Sequence, residues 1–177
     1  DPDEFLEHTK LDLFQEQVFC FTPKGELIAL PRGSTPVDFG YAVHSEVGDC
    51  CVGAKINGRL VQLHTKLGNG DQVEIITSKP GIPSPDWEKF VVTAKARSRI
   101  RRFIKTKEQT EYQRLGKAMI EKSFSKFGFR FSENALDIIV AKLKIQNLNE
   151  LYISVGRGNY TANSIVEFVL NGEFDEN

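Results

Sequence analysis

The chain has 177 residues, 40% of them hydrophobic and 27% charged, with 24 acidic against 23 basic side chains and a formal net charge of -1. That balance belongs to a folded globular protein of one large or two small domains and excludes disordered, collagenous and membrane-embedded classes. No apolar run approaches the roughly 18–20 residues that cross a bilayer, and the first ten residues carry four acids and no signal-peptide core.

Residue 1 is Asp and the only methionine is Met119, so the expectation is a piece of a longer protein. The three cysteines, Cys20, Cys50 and Cys51, are odd in number and two are adjacent. They form no disulfide framework or CxxC metal spacing, and they suit a reducing cytoplasm.

From the N-terminus, Val18 to Phe21 is a β-branched and aromatic run stopped by Pro23-Lys24-Gly25, and Glu26 to Leu30 resumes it as the second strand of a hairpin. Thr35 followed by Pro36 reads as an N-cap and a proline at the first helical position, predicting a helix from about Pro36 to Ser45 that Gly48 terminates. Cys51 to Ile56, the turn Asn57-Gly58 and Arg59 to His64 form a second hairpin, and Val73 to Thr77 adds a fifth strand. Hairpin, helix, hairpin and last strand is the order of a ubiquitin-like β-grasp, placed at 17–78. Residues 1–16 lead into it, and 79–85, with three prolines, read as a linker.

Strand signals stop there. From Asp86 to about Lys126 the composition is helix-forming, with an expected break around Thr106–Thr110 and at Gly116. Ser132-Glu133-Asn134 reads as the cap of another helix, and Asn147 to Val155 and Thr161 to Leu170 supply two more. The whole is α+β: a β-grasp domain followed by an all-α domain at 86–171, with 172–177 as a frayed tail.

No phosphate-binding GxxxxGK[ST] loop, GxSxG elbow, HExxH helix or GxGxxG turn is present, and His8, His44 and His64 lie in three separate segments. Two features carry chemistry. His44 stands at a helix end before a glycine loop, where an imidazole either stacks on a base and donates to a phosphate or simply caps its helix C-terminus. Lys95, Arg97, Arg99, Arg101, Arg102, Lys105 and Lys107 follow one another with no acid between Thr93 and Lys107. Interleaved Ala94, Ile100, Phe103 and Ile104 make this an amphipathic helix whose cationic face either grips phosphates through counterion release or pairs with acids nearby.

The run Val18-Phe19-Cys20-Phe21-Thr22-Pro23-Lys24-Gly25-Glu26, with Leu30 to Ser45, Val52-Gly53-Ala54-Lys55-Ile56-Asn57-Gly58-Arg59 and Asn69 to Thr77, resembles a TGS domain. The continuation Pro85-Asp86-Trp87 and Phe90-Val91-Val92-Thr93-Ala94-Lys95-Ala96-Arg97-Ser98-Arg99-Ile100-Arg101 resembles the junction between TGS and helical domains in long RelA/SpoT homologues. Those are the (p)ppGpp synthetases and hydrolases of the stringent response. Glu4-Phe5-Leu6 through Asp12-Leu13-Phe14 is similar to the segment that joins their synthetase domain to TGS.

That resemblance implies a cytoplasmic regulatory fragment with no catalytic residues and no cofactor. The Mg2+ of the synthetase and the Mn2+ of the hydrolase belong to the upstream catalytic domains, to which the fragment relays its signal. It implies one of two partner classes: deacylated tRNA on the ribosome, whose 3′ CCA end a histidine matching His44 inspects, or a protein regulator such as acyl carrier protein or a phosphotransfer protein. His44, Ser45, Lys55 and Arg59 are the candidate partner-binding residues, with the basic helix as phosphate or partner grip. Asp49 and Cys50 depart from the polar pair common after Gly48, and a carboxylate there is expected to repel a phosphate by about 1 kcal/mol.

Overall fold

A computed structural model describes residues 16–172 together with Pro2 and Glu4. The leader at 5–15 and the tail at 173–177 lie outside the described residues. The chain divides into two compact units, residues 1–104 and 105–177.

In the first unit, strand β1 (Gln17–Phe21) pairs antiparallel with β2 (Leu27–Pro31), Phe19 opposite Ala29. Gly25 closes their turn at φ 88°, a left-handed backbone that glycine adopts without a Cβ clash. Strand β3 (Cys51–Ile56) lies between β4 (Arg59–Val61) and β5 (Val73–Thr77), both antiparallel to it. Asn57 and Gly58, at φ 52° and 83°, turn β3 into β4 as the Asn-Gly pair predicts. The two ladders meet through a parallel bridge between Phe21 and Gln72 and a Phe21 N–H donated to Asp71 O at 2.9 Å. The expected strand Arg59 to His64 is shorter, because Thr65 N–H turns back to Gln62 O.

The predicted single helix is two: α1 (Pro36–Val43) and α2 (Ser45–Asp49), with His44 in an extended conformation between them. Gly48 does not end the first helix. It lies inside α2, where a Cβ would stand 2.2 Å from the Tyr41 ring, so its bare backbone lets α2 lie on that ring. Val18, Cys20, Leu30, Phe39, Leu67 and Val73 form one core cluster of this unit.

The first unit continues past the proline segment at which sequence composition changes. A 3-10 turn (Pro85–Lys89) and the start of α3 (Ala94–Lys126) place Trp87, Val91, Ala96 and Ile100 against Val37, Tyr41 and Cys51. Burying side chains of the size of Val91 and Ile100 contributes about 1.5–3 kcal/mol each, which ties this segment to the β-grasp.

Helix α3 runs unbroken for 33 residues, about 50 Å. The expected interruption at Gly116 is absent for a packing reason. In the second unit α3 is met by α5 (Leu148–Gly156), and a Cβ on Gly116 would fall 1.8 Å from Tyr152 O. Reciprocally, a Cβ on Gly156 would fall 2.1 Å from Tyr112 O. The two glycines allow the backbones to touch.

Asn147 and Thr161 cap α5 and α6 (Ala162–Asn171), accepting Glu150 N–H at 2.9 Å and Ser164 N–H at 3.2 Å. The anticipated Ser132 cap is replaced by a 3-10 turn (Asn134–Leu136) that leads into α4 (Asp137–Lys142). Ile120, Phe124, Leu136, Ile139, Leu151, Val155, Ile165 and Val166 fill this unit's core. Among the described residues no helix is long and apolar enough to cross a membrane.

Candidate functional site

Helix α1 starts from a reciprocal cap. Thr35 Oγ1 accepts Asp38 N–H at 3.5 Å, and Asp38 Oδ2 accepts Thr35 N–H at 2.9 Å. Asp38 is fully buried and works in a second direction. Its Oδ1 accepts the N–H and the hydroxyl of Thr93, at 2.9 and 2.8 Å, and Val92 N–H at 3.1 Å. Thr93 Oγ1 in turn accepts Ala96 N–H at 3.2 Å in the first turn of α3. One carboxylate therefore holds the beginnings of both helices.

At the far end of α1, His44 N–H closes the helix on Gly40 O at 3.1 Å, and the His44 imidazole accepts Glu46 N–H through Nδ1 at 3.0 Å. The side chain caps the N-terminus of α2, not the C-terminus of α1. An Nδ1 that accepts places the ring proton on Nε2. The residue is exposed, which leaves this N–H available as a donor.

Two concavities flank it. One, of about 520 Å³, runs from His44 over Val47 and Cys50 to Thr77 and Ser78. The other, of about 450 Å³, joins His44 and Ser45 to Asp49, Gly81 and Arg99. Lys79 lines both and pairs with Glu46 at 3.3 Å. That pair is exposed on both sides and contributes no more than about 1 kcal/mol. Lys79 was not legible as a site residue, since a lysine in a proline-rich connection carries no spacing signal.

Asp49 does not present the free charge that its position suggested. Its Oδ2 accepts Arg99 Nη2–H at 2.5 Å, and its Oδ1 accepts the Tyr41 hydroxyl at 3.0 Å. Burial, then the hydrogen bond to Asp49, pushes the Tyr41 phenol well above its ordinary range, so it donates at any physiological pH.

His44 and Ser45 thus share one cleft with Arg99, which the sequence placed apart in the basic helix. Lys55 and Arg59 do not join them. They lie toward the opposite end of β3, four residues or about 13 Å along the strand from Cys51, at the Asn57-Gly58 turn.

The basic stripe is not one open face. Arg97 donates to Val91 O at 3.1 Å, Arg99 holds Asp49, and Arg101 pairs with Glu88 at 2.5 Å and Glu4 at 3.0 Å. Lys95, Arg102, Lys105 and Lys107 are exposed. Among the described residues no three His, Cys, Asp or Glu side chains converge as a metal site.

The β-grasp and the helices that follow it agree with two domain families. Residues 18–77 match the TGS domain, and residues 103–170 match the RelA/SpoT AH domain. The chain therefore carries a TGS domain and a RelA/SpoT AH domain. It is 50% identical over 169 residues to the GTP pyrophosphokinase rsh of Brucella suis, covering 96% of this chain and 22% of that protein. It is 43% identical over 165 residues to a GTP pyrophosphokinase of Myxococcus xanthus, covering 91% of this chain and 22% of that protein. Against the bifunctional (p)ppGpp synthase/hydrolase RelA of Mycobacterium tuberculosis the identity is 41% over 176 residues, covering 96% and 24%. The chain spans about a fifth to a quarter of the length of these curated relatives.

Proposed function

We propose that this chain is a non-catalytic regulatory region of a cytoplasmic (p)ppGpp synthetase/hydrolase, which senses starvation by binding the 3′ CCA end of deacylated tRNA on the ribosome and relays that event to the catalytic domains. It takes no cofactor; Mg2+ and Mn2+ would serve the synthetase and hydrolase domains.

The observation that carries this reading is the His44 cleft. An exposed histidine, its Nδ1 engaged and its Nε2–H available, lines two concavities, with Arg99 and Lys79 as cations at its edge. Stacking on an aromatic ring and donation to the sugar-phosphate backbone are how single-stranded RNA ends are recognised. In the unliganded chain Asp49 is paired with Arg99, so its carboxylate is not an open negative charge in the cleft.

The test is titration with deacylated and aminoacylated tRNA at two salt concentrations, for the wild type and His44→Ala. Preference for the deacylated form that disappears in the variant supports the sensor; equal affinity for both forms, unchanged by the substitution, removes it. Incubation with ATP, GTP and ppGpp should give no turnover, and metal-dependent activity would overturn the non-catalytic assignment.

A second reading rests on the separateness of Lys55 and Arg59. Lys55 lies directly across from Leu60, which is 73% exposed, and Arg59 adjoins it. An exposed apolar side chain with Lys55 beside it on one face, and Arg59 on the other face of the same turn, suits a small acidic protein such as acyl carrier protein. Loss of capture in Arg59→Glu, with tRNA binding intact, would separate this surface from the His44 cleft.

A further inference from the structure

Helix α3 is itself a wall of the His44 cleft. Arg99 leaves it between the fully buried Ala96 and Ile100 and lines the same concavity as His44 and Ser45. Its guanidinium meets Asp49, the last residue of α2, with the two side chains 39% and 21% exposed. The pair is thus within reach of an incoming ligand, and in such a setting an ion pair exchanges partners at small cost. Lys79 and Glu46 form the other cation–carboxylate pair of the cleft, more exposed still. At rest, therefore, each cation beside the imidazole is neutralised by a carboxylate from α2.

A phosphate competes well for a guanidinium, because it offers several anionic oxygens to a rigid fork of donors. Asp49, once released, keeps the Tyr41 hydroxyl as its partner. We propose that Arg99 takes the ligand phosphate in this cleft by giving up Asp49, so that α3 registers occupancy directly. The proposal rests on the tRNA-end reading for its ligand and adds the residue that reads the phosphate and the helix that carries the signal.

The mechanical consequence follows from what holds α3. Its first turn is fixed to α1 through Asp38 and Thr93, and Ala96 and Ile100 pack with Val37, Tyr41 and Trp87. Exchange at Arg99 frees the link between α2 and α3 while the Asp38 joint stays closed. Trp87, the single tryptophan, is 7% exposed in that cluster and reports on it.

The experiment uses a short RNA ending in CCA with a free 3′ hydroxyl, and pyrophosphate as a second probe. It follows Trp87 fluorescence and the Arg99 Nε–H resonance. Asp49→Asn should bind the RNA about threefold or more tighter, a gain that misfolding does not produce. Arg99→Gln should bind about tenfold more weakly, and its salt slope should fall by about 0.7, the loss of one single-strand phosphate contact. Arg99→Lys should recover the salt slope but not the full affinity.

If the RNA binds but affinity, slope and the Arg99 resonance are indifferent to these changes, the proposal is overturned and the tRNA reading stands. If the wild type does not bind the RNA, that reading fails and pyrophosphate decides. A saturable shift of the Arg99 resonance keeps an anion-exchanging arginine, and its absence removes it.

Discussion

Asp38 and Thr93, 55 residues apart, are joined by two hydrogen bonds to one carboxylate oxygen, 2.9 Å from the Thr93 N–H and 2.8 Å from its hydroxyl. The other oxygen closes the first turn of α1. A buried carboxylate surrounded by donors makes the helix pair that carries His44 and the start of α3 a single body.

Asp38→Ala leaves buried N–H groups of Thr35, Val92 and Thr93 without their acceptor. The expected loss is about 3–5 kcal/mol, since each orphaned buried donor costs about 1–3 kcal/mol. Asp38→Asn keeps the shape but turns an amide NH2 toward donors, so about 2 kcal/mol is expected. Urea unfolding followed by Trp87 fluorescence measures both, and a change below the error of the midpoint would refute the joint.

Gly116→Ala sets two effects against each other. Helix propensity alone would stabilise by about 1 kcal/mol. A Cβ 1.8 Å from Tyr152 O forces the two backbones apart, at about 3 kcal/mol, so net destabilisation is expected. Gly156→Ala should behave alike, and the double variant should lose less than the sum, because either substitution opens the same crossing. Thermal denaturation of the three variants gives the answer.

The cap that His44 provides is separable from the RNA contact proposed for it. His44→Asn restores an acceptor for Glu46 N–H and should stay within about 0.5 kcal/mol of the wild type, whereas His44→Ala should lose about 1 kcal/mol as an N-cap deletion. Both remove the imidazole N–H and should weaken RNA binding equally. Unfolding midpoints and RNA titrations on the same preparations distinguish capping from recognition.

Cys20 and Cys51 supply a pH dependence. Burial pushes both thiols up from 9.0 to about 11, Asp71 adding to the rise at Cys20. Above pH 9 the unfolded chain loses thiol protons that the folded chain retains, so the unfolded state binds fewer protons and stability falls with rising pH. Their contribution is complete below pH 9 and declines from there through about pH 11. Urea midpoints at pH 7.5, 9 and 10.5 should show this decline, smaller in Cys20→Ala; a decline of unchanged size in that variant would point to other groups.

Local signals in the chain were sufficient for the β-grasp order, the Asn57-Gly58 turn, the cap at Thr35 and the helices that start near Asn147 and Thr161, because each depends on backbone preferences within a few residues. His44 was visible as a candidate for the same reason, standing where a helix signal stops. Its actual cap, the partner of Asp49 and the presence of Lys79 in the cleft were not, since each is set by residues that folding brings from elsewhere.

Gly116 shows the boundary between the two kinds of information. A glycine in a helical run lowers propensity, and sequence alone reads it as a break; only the facing Tyr152 backbone shows that the missing side chain is what lets two helices meet. Arg99 likewise reads as one more charge in a basic stripe until Asp49 appears beside it. Patterning along the chain determines which elements form, because it acts over one turn or one strand. Which charges remain available and where backbones touch are decided by packing between distant segments, where a fraction of an ångström or one counter-charge outweighs local preference.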